Sequence, residues 1–321
     1  MKPIEVIEVK SELGAGTRGA SMGVEALKVV CLNKKSDFFT RYRRVSVETE
    51  NEVLFYPTPY KHARYINVMI RVQQRVCETV ARSILNGDFA IVLAGDHSTA
   101  AGTIAGIKKA YPNKRLGVVW IDAHADMHSP HTTPSGNMHG MPLAIAIAED
   151  NLESKVNSLH PDAAGLWQRL KDMGTGHNVE PEDIVYVSMR DTEVEEQYLI
   201  KKYQIKNYPT DEVRLRGVEA IIPEIFAKLS HCDLIYVSFD VDSTDPKISE
   251  GTGTPVEGGL SIEEAMKLNT LLVQNEKVCC WEMVEINPTL DYEGNLMAEN
   301  AFDILVSVAD TVEKTRQQLY F

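Results

Sequence analysis

The amino-acid sequence predicts an α/β protein with a mostly parallel central sheet and helices on both of its faces. Three observations predict this fold: short apolar runs of strand length, helical repeats between those runs, and polar clusters that follow several of them. Strands that alternate with helices form βαβ units, and such units build parallel sheets. Because no internal repeat or low-complexity linker interrupts the pattern, residues 1–321 are interpreted as a single domain.

Five runs rich in Val, Ile and aromatic residues are predicted to form strands. They do not alternate between apolar and polar residues, which indicates burial on both faces, as in a parallel sheet. In chain order, the predicted strands are residues 89–94, 116–121, 183–189, 234–239 and 279–286.

Two helices between the strands have clear signals. In residues 67–86, valines recur every four residues, and Gly87 is the residue type favoured just after a helix end. Residues 261–272 open with Ser261 and Glu264, the spacing of a capping box. The polar segment 149–182 is the candidate for an insertion.

The composition argues against several kinds of partner. The chain has 321 residues, 44% of them hydrophobic, and a formal net charge of −13. It has no stripe of basic and aromatic residues, which argues against nucleic acid and anionic membranes as partners. No apolar stretch approaches the roughly 20 residues that span a bilayer. Five cysteines without a CxxC pair, and no visible secretory signal, predict a reduced protein of the cytoplasm.

Metal-type ligands follow three of the predicted strands. The ligands of parallel strands meet beyond the carboxyl ends of those strands, at one edge of the sheet. Within residues 122–126, alternate side chains point to the same side of an extended segment. The candidate residues are His97 after the first strand, Asp122, His124 and Asp126 after the second, and Asp240, Asp242 and Asp245 after the fourth.

This ligand set indicates the kind of metal and the kind of reaction. Several carboxylates at one buried edge would repel each other unless cations neutralise them. A set rich in oxygen and without thiolates suits Mn²⁺ better than structural Zn²⁺. Two such metals close together can lower the pKa of a shared water enough to give hydroxide, which predicts hydrolysis.

Six motifs in this order and spacing resemble the ureohydrolase family. Residues 135–142 resemble the arginase branch of that family more than the agmatinase branch, and residues 14–25 resemble its first loop. The six motifs are "GDHS" (95–98), "DAHAD" (122–126), "SGNMHGMP" (135–142), "SFDVDSTDP" (238–246), "GTGTPVEGGL" (251–260) and "EINP" (285–288).

The resemblance implies a three-layer αβα fold and hydrolysis of L-arginine to L-ornithine and urea at two Mn²⁺ per chain. It implies that Asp122 and Asp240 bridge the two metals and that Asp245 belongs to a turn. The implied ligands are His97, Asp122, Asp126 and Asp240 for one ion, and Asp122, His124, Asp240 and Asp242 for the other.

The resemblance also implies catalytic roles. Glu285 corresponds to the carboxylate that binds the guanidinium, and His139 to the proton shuttle that protonates the leaving amine. Asp126 is counted as catalytic as well as a ligand, and Thr252 corresponds to a threonine near the guanidinium. An imidazole suits a proton shuttle because its pKa lies near neutrality.

The remaining implied contacts concern the amino-acid end of the substrate. Ser135 and Asn137 resemble the donors to the α-carboxylate, and Glu196 resembles a second acid near the α-ammonium. The chain departs from the family pattern in having Glu193 where Asp is usual and His128 where Asn is usual. His131 fits no pattern and is interpreted as a loop residue.

Two alternatives stay open at this level. The chain could act on another guanidino or formimino compound, as an agmatinase, guanidinobutyrase or formimidoylglutamase does. It could also be a metal-binding scaffold without turnover. The family resemblance further implies a homo-oligomer, either a trimer or a hexamer.

Overall fold

The computed structural model describes residues 3–292 and 294–318, and within them a single eight-stranded sheet. All seven strand pairings are parallel. The strand order is β2-β1-β3-β8-β7-β4-β5-β6. The strands are β1 Ile4–Val9, β2 Arg43–Ser46, β3 Phe89–Ala94, β4 Leu116–Ile121, β5 Ile184–Val187, β6 Lys206–Tyr208, β7 Leu234–Asp240 and β8 Val278–Val284.

Helices cover both faces of the sheet. The described helices are α1 Gly23–Asn33, α2 Phe38–Arg41, α3 Ile66–Leu85, α4 Ala100–Ala110, α5 Pro142–Ala146, α6 Pro161–Lys171, α7 Val194–Lys202, α8 Thr210–Arg216, α9 Val218–Lys228, α10 Ile262–Leu272 and α11 Leu296–Gln318. Among the described residues, no helix combines the length and apolarity needed to cross a bilayer.

Two hydrophobic cores, one on each face of the sheet, produce the three layers. Alternate residues of a strand point to opposite faces. In β4, Val119 and Ile121 therefore join the core beneath α1, α9, α10 and α11. Val118 and Trp120 join the core beneath α3, α4, α5 and α6. The predicted α/β fold with a three-layer αβα arrangement is confirmed.

The predicted elements agree with the structure in position, with small differences at their ends. The valines of α3 at positions 68, 72, 76 and 80 are buried, and Gly87 follows the helix with φ +84°. Ser261 and Glu264 form the predicted capping box of α10. The third predicted strand is shorter than expected, because β5 ends at Val187.

The polar segment 149–182 is not separate from the rest of the fold. It contains α6, whose Trp167 and Leu170 are buried in the core that α3 also covers. The indole N–H of Trp167 donates to Asp150 Oδ1 at 2.7 Å. The segment is therefore part of the outer layer on that face of the sheet.

Candidate active site at the carboxyl edge of the sheet

Four central strands end side by side and carry the predicted site residues. In the order β3-β8-β7-β4, each strand is hydrogen-bonded to the next. His97 follows β3, Glu285 follows β8, Asp240 ends β7 and Asp122 follows β4. Residues that lie far apart in the sequence therefore meet at one edge of the sheet, as the sequence predicts.

His97 is the centre of one group of ligands. Its Nδ1 lies 2.9 Å from Asp122 Oδ2, 3.0 Å from Asp126 Oδ2 and 3.1 Å from Asp240 Oδ2. Its Nε2 lies 2.8 Å from Ser238 Oγ, and its ring stacks on Trp120 with the two ring centroids 4.1 Å apart. Because Ser238 engages Nε2, Nδ1 is the nitrogen left to face the carboxylates.

His124 is the centre of a second group, which shares Asp122 with the first. Its Nδ1 lies 3.0 Å from Asp242 Oδ2 and 3.4 Å from Asp122 Oδ1. Asp240 lies in the first group, and its Oδ1 accepts the backbone N–H of Asp242 at 2.8 Å. In each group, the potential ligand atoms of three residues lie within 4.8 Å of one another.

Two of these positions have a backbone conformation that side chains rarely adopt. Asp126 has φ +50° and Glu285 has φ +68°. Non-glycine residues in this left-handed region cost free energy and persist where the surrounding structure holds them. Glu285 is held by its N–H, which donates to the Gly95 carbonyl at 2.7 Å. The two carboxylates are therefore directed into the site at a cost in backbone strain.

The electrostatics of this cluster favour cations. Burial and the charges of Asp242 and Asp122 raise the pKa of Asp240 well above its usual range. Burial and the charge of Asp122 raise the pKa of Asp126 to about 6. For His97, the close approach of three carboxylates outweighs the opposing effect of burial and raises its pKa well above the usual value. Without a metal the cluster holds protons, and a divalent cation would displace them.

The orientation of the ligand atoms fits a metal. His97 Nδ1 and Asp122 Oδ2 are both buried, and their contact is short, yet neither atom has a partner in hydrogen-bond geometry. Buried polar atoms are almost always satisfied, so such a pair calls for a bound group. A carboxylate- and imidazole-rich donor set without thiolates fits a hard or borderline divalent ion.

His139 and Glu285 form a pair beside the metal-type ligands. His139 Nδ1 lies 3.2 Å from Glu285 Oε1, which also accepts the backbone N–H of His97 at 2.9 Å. Burial lowers the pKa of His139, but the hydrogen bond to Glu285 and its charge prevail and raise that pKa to about 9. The free site therefore keeps a protonated imidazole at neutral pH.

A cavity of about 300 Å³ opens over these groups. Its lining includes His97, His124, Asp126, His139, Asp240 and Asp242. It also includes all five residues predicted for the amino-acid end of a substrate, a set that we call the distal end: His128, Ser135, Asn137, Glu193 and Glu196.

The distal end contains its own charge cluster. His128 Nε2 lies 3.2 Å from Glu193 Oε2 and 3.7 Å from Glu196 Oε2. The hydrogen bond to His128 lowers the pKa of Glu193 to about 2, whereas burial raises that of Glu196 to about 8. Burial lowers the pKa of His128, but the hydrogen bond to Glu193 outweighs it and raises that pKa overall.

The structure corrects the prediction for Thr252. Thr252 is buried and does not line the cavity, whereas Thr254 does. Thr254 Oγ1 donates to Asp242 Oδ2 at 3.2 Å, which places this hydroxyl beside the second ligand group. In "GTGTP" each threonine follows a glycine, so the local sequence does not show which of the two faces the site.

The sequence did not indicate Asp191 or Thr133, and Asp96, a metal-type residue after the first predicted strand, has a structural role instead. Asp191 and Thr133 line the cavity, and Asp191 Oδ2 lies 3.9 Å from His124 Nε2. Asp96 Oδ2 accepts the Gly14 N–H at 3.0 Å, and the carbonyl of Gly14 accepts the His139 N–H. Asp96 therefore connects the N-terminal loop to the loop of His139. The family-like motif around residues 14–25 was the available signal for this link.

Asp245 and His131 lie in a turn and in a loop, as predicted. Asp245 Oδ1 accepts the Lys247 N–H and its Oδ2 accepts the Gly258 N–H, so its carboxylate closes turns. His131 lies in a loop outside the cavity lining, and its carbonyl accepts the N–H groups of Val156 and Asn157.

Removing the divalent metal is expected to lower the melting temperature by several degrees. A metal that binds only the native state stabilises that state, and its removal takes this stabilisation away. A metal at about a thousand times its Kd stabilises the native state by about 4 kcal/mol. Calorimetry of metal-loaded and chelated protein would measure the shift, with metal-saturated chelator as the control. An unchanged melting temperature after metal loss is verified would contradict the assignment.

The amino-acid sequence is similar to those of known arginases. The Arginase family model matches residues 2–309. The arginase of Bacillus subtilis is 33% identical over 309 residues, which cover 96% of this chain and 97% of that protein. The arginase of Entamoeba histolytica is 36% identical over 233 residues, which cover 72% of this chain and 73% of that protein.

Solved structures give the same result. A crystal structure of Entamoeba histolytica arginase in complex with L-ornithine has a TM-score of 0.80 at 31% identity, covering 96% of this chain and 99% of that one. Bacillus cereus arginase has a TM-score of 0.81 at 32% identity, covering 96% and 98%. Formimidoylglutamase from Bacillus subtilis shares the fold, with a TM-score of 0.74 at 16% identity. The length of the family match and the identities to these relatives show that the chain belongs to the arginase family, the ureohydrolases whose motifs its sequence resembles.

Proposed function

We propose that this protein hydrolyses L-arginine to L-ornithine and urea with two Mn²⁺ ions per chain. The observation that carries the proposal is the pair of His–Asp groups that share Asp122 beside a cavity that is also lined with further charged and polar side chains. Such a cavity suits a long substrate with a guanidinium at one end and an amino acid at the other. The chain's arginase relatives support arginine as that substrate.

The proposed ligands follow from the two groups. His97, Asp122, Asp126 and Asp240 would hold one ion, and Asp122, His124, Asp240 and Asp242 would hold the other, with Asp122 and Asp240 shared. Two divalent cations held by these residues would lower the pKa of water and so supply hydroxide near neutral pH. Four carboxylates would balance the charge of two divalent cations.

Glu285 and His139 would handle the substrate's guanidinium and the leaving group. Glu285 offers a buried carboxylate to the planar cation, which it would bind in place of His139. When water adds to the guanidinium carbon, the C–N bond to the ornithine side chain breaks. The imidazolium of His139 would give its proton to that nitrogen, a general-acid contribution typically worth about 10²–10⁴-fold in rate. Thr254, rather than Thr252, is the threonine we propose beside the guanidinium.

The distal end supports arginine over agmatine. Ser135 and Asn137 line the cavity as uncharged donors for an α-carboxylate. Agmatine lacks that carboxylate, and sites built around polar groups discriminate strongly against analogues that leave them unpaired. Agmatinase, guanidinobutyrase and formimidoylglutamase activities are the alternatives within the family. A scaffold without turnover is less well supported, because the described site contains every proposed ligand together with His139 and Glu285.

Steady-state kinetics of Mn²⁺-loaded enzyme on four substrates tests the proposal. We expect arginine to be hydrolysed with the highest kcat/KM among arginine, agmatine, 4-guanidinobutanoate and N-formimidoylglutamate. Metal-free enzyme and enzyme loaded with Zn²⁺ or Mg²⁺ would show which metal supports turnover. Faster hydrolysis of agmatine or 4-guanidinobutanoate than of arginine would remove the arginase assignment and leave only the family.

We also propose the assembly, domain organisation and location that the family resemblance and the sequence imply. Residues 1–321 would form one domain, which the family match over residues 2–309 supports. The chain would assemble as a homotrimer or homohexamer, to be measured by light scattering. Its five cysteines, all free thiols, are compatible with the reducing cytoplasm.

A further inference from the structure

The carboxylates at the distal end of the cavity are already engaged by donors from the protein itself. Glu196 Oε1 accepts the backbone N–H of Met127 at 3.0 Å, and its Oε2 accepts that of Glu193 at 3.2 Å. Glu193 Oε2 faces His128 Nε2 at 3.2 Å. A substrate ammonium at this end would have to share acceptors with these groups.

The His128 ring is held so that it donates to Glu193. Its Nδ1 lies 3.0 Å from Thr132 Oγ1, and the ring is buried. Thr132 Oγ1 accepts the Ser129 N–H at 3.0 Å, and its own proton can go to His128 Nδ1 at 3.0 Å or to the Ser129 carbonyl at 3.4 Å, of which the contact with His128 is the shorter. When Nδ1 accepts that proton, the N–H of the neutral ring is on Nε2 and points at Glu193. The pairing therefore does not require a charged imidazole.

Ser135 and Asn137, which also line the cavity, keep donors for an anion. Arg64 Nη1 donates to Asn137 Oδ1 at 3.3 Å, and the Arg64 N–H donates to the Gly136 carbonyl at 2.8 Å. Because Arg64 engages the amide oxygen, the Asn137 NH₂ group is directed elsewhere as a donor. Ser135 Oγ accepts the Asn137 N–H at 3.2 Å, which leaves the hydroxyl proton of Ser135 for a ligand.

We propose that the distal end recognises the carboxylate of the substrate and not its α-ammonium, and that the His128–Glu193 hydrogen bond sets this specificity. The inference rests on the proposed function, because it assumes that the α-carbon of arginine lies at this end. The substrate class is then ω-guanidino carboxylates of arginine length, with the α-amino group optional. 5-Guanidinopentanoate, which is arginine without that amino group, is a substrate.

The test compares arginine with 5-guanidinopentanoate in the Mn²⁺-loaded enzyme and in His128→Asn. In the wild type, the two kcat/KM values lie within about tenfold, less than one charged hydrogen bond is commonly worth. His128→Asn frees Glu193, so the preference for arginine rises by about tenfold or more, mainly through KM. His131→Asn, outside the cavity, is the matched control and leaves the preference unchanged.

Product binding supplies a readout that does not depend on turnover. L-Ornithine and 5-aminopentanoate differ in the same amino group, so their dissociation constants for the wild type, measured by titration calorimetry, lie within about tenfold of each other. If His128→Asn fails to fold, Glu193→Gln tests the same point. If Glu193 does not bind the α-ammonium, this variant lowers kcat/KM equally for arginine and for 5-guanidinopentanoate. A larger loss for arginine than for 5-guanidinopentanoate overturns the proposal.

Two further results separate this inference from the proposed function. A wild-type preference for arginine over 5-guanidinopentanoate clearly above about tenfold overturns the inference but leaves arginine hydrolysis intact. Turnover of agmatine without turnover of either carboxylate removes the proposed function itself. An unchanged preference in folded His128→Asn also overturns the role of His128.

Discussion

Asp240→Ala is expected to reduce the metal content from about two ions per chain to near none and to abolish hydrolysis. The carboxylate of Asp240 lies 3.1 Å from His97 Nδ1 in the first group. Its other oxygen fixes the backbone of Asp242, which belongs to the second group. Loss of this one side chain therefore disturbs both groups. Elemental analysis after dialysis measures the result.

A carboxylate on the same loop provides the control for this variant. Asp245 lies five residues further on and accepts backbone N–H groups in turns. Asp245→Asn should keep both metals and most of the activity. If Asp240→Ala retains two metals, or if the wild type carries one tightly held zinc and no second ion, the binuclear assignment is wrong.

His139→Asn is expected to keep its metals while kcat falls by about 10²–10⁴-fold, the usual contribution of general acid–base catalysis. His139 contacts Glu285 rather than the metal-type carboxylates, so its replacement removes no ligand. Elemental analysis and steady-state kinetics measured on the same sample check both halves of the expectation. His131→Asn is the control for replacing a histidine in this loop. Loss of metal in His139→Asn would make His139 a ligand and remove its role as a proton donor.

The pH dependence of kcat/KM in the wild type should reflect the protonation of His139. Despite burial, which lowers it, Glu285 raises the pKa of His139 to about 9 in the site without metal, and bound cations would lower it from that value. The proton is therefore lost as the pH rises through a pKa no higher than about 9. Because kcat/KM reports the groups of the free enzyme, it should fall on that alkaline side, and this limb should be absent in His139→Asn. A limb that persists in the variant would belong to another group.

The sequence by itself determined the fold class and the ligand types, because both depend on local patterns. Buried runs between helical repeats identify strands of a parallel sheet, and the first polar residues after such strands must lie at its carboxyl edge. His97, Asp122 and Asp240 were predicted in this way, and the structure brings all three together. The strands β1, β2 and β6 were not predicted. β2 and β6 lie at the two edges of the sheet. They are short and contain polar residues, so they give little apolar signal.

Tertiary structure alone decided which partners those residues meet. Thr252 and Thr254 carry the same local signal, and only the packing of their loop shows that Thr254 reaches Asp242 and the cavity. His128 and Glu193 are 65 residues apart, and their contact requires the loop after β4 to meet the start of α7. A local sequence pattern indicates which kind of side chain a position has. The order of strands and the direction of each side chain, fixed by contacts remote in sequence, decide what that group touches.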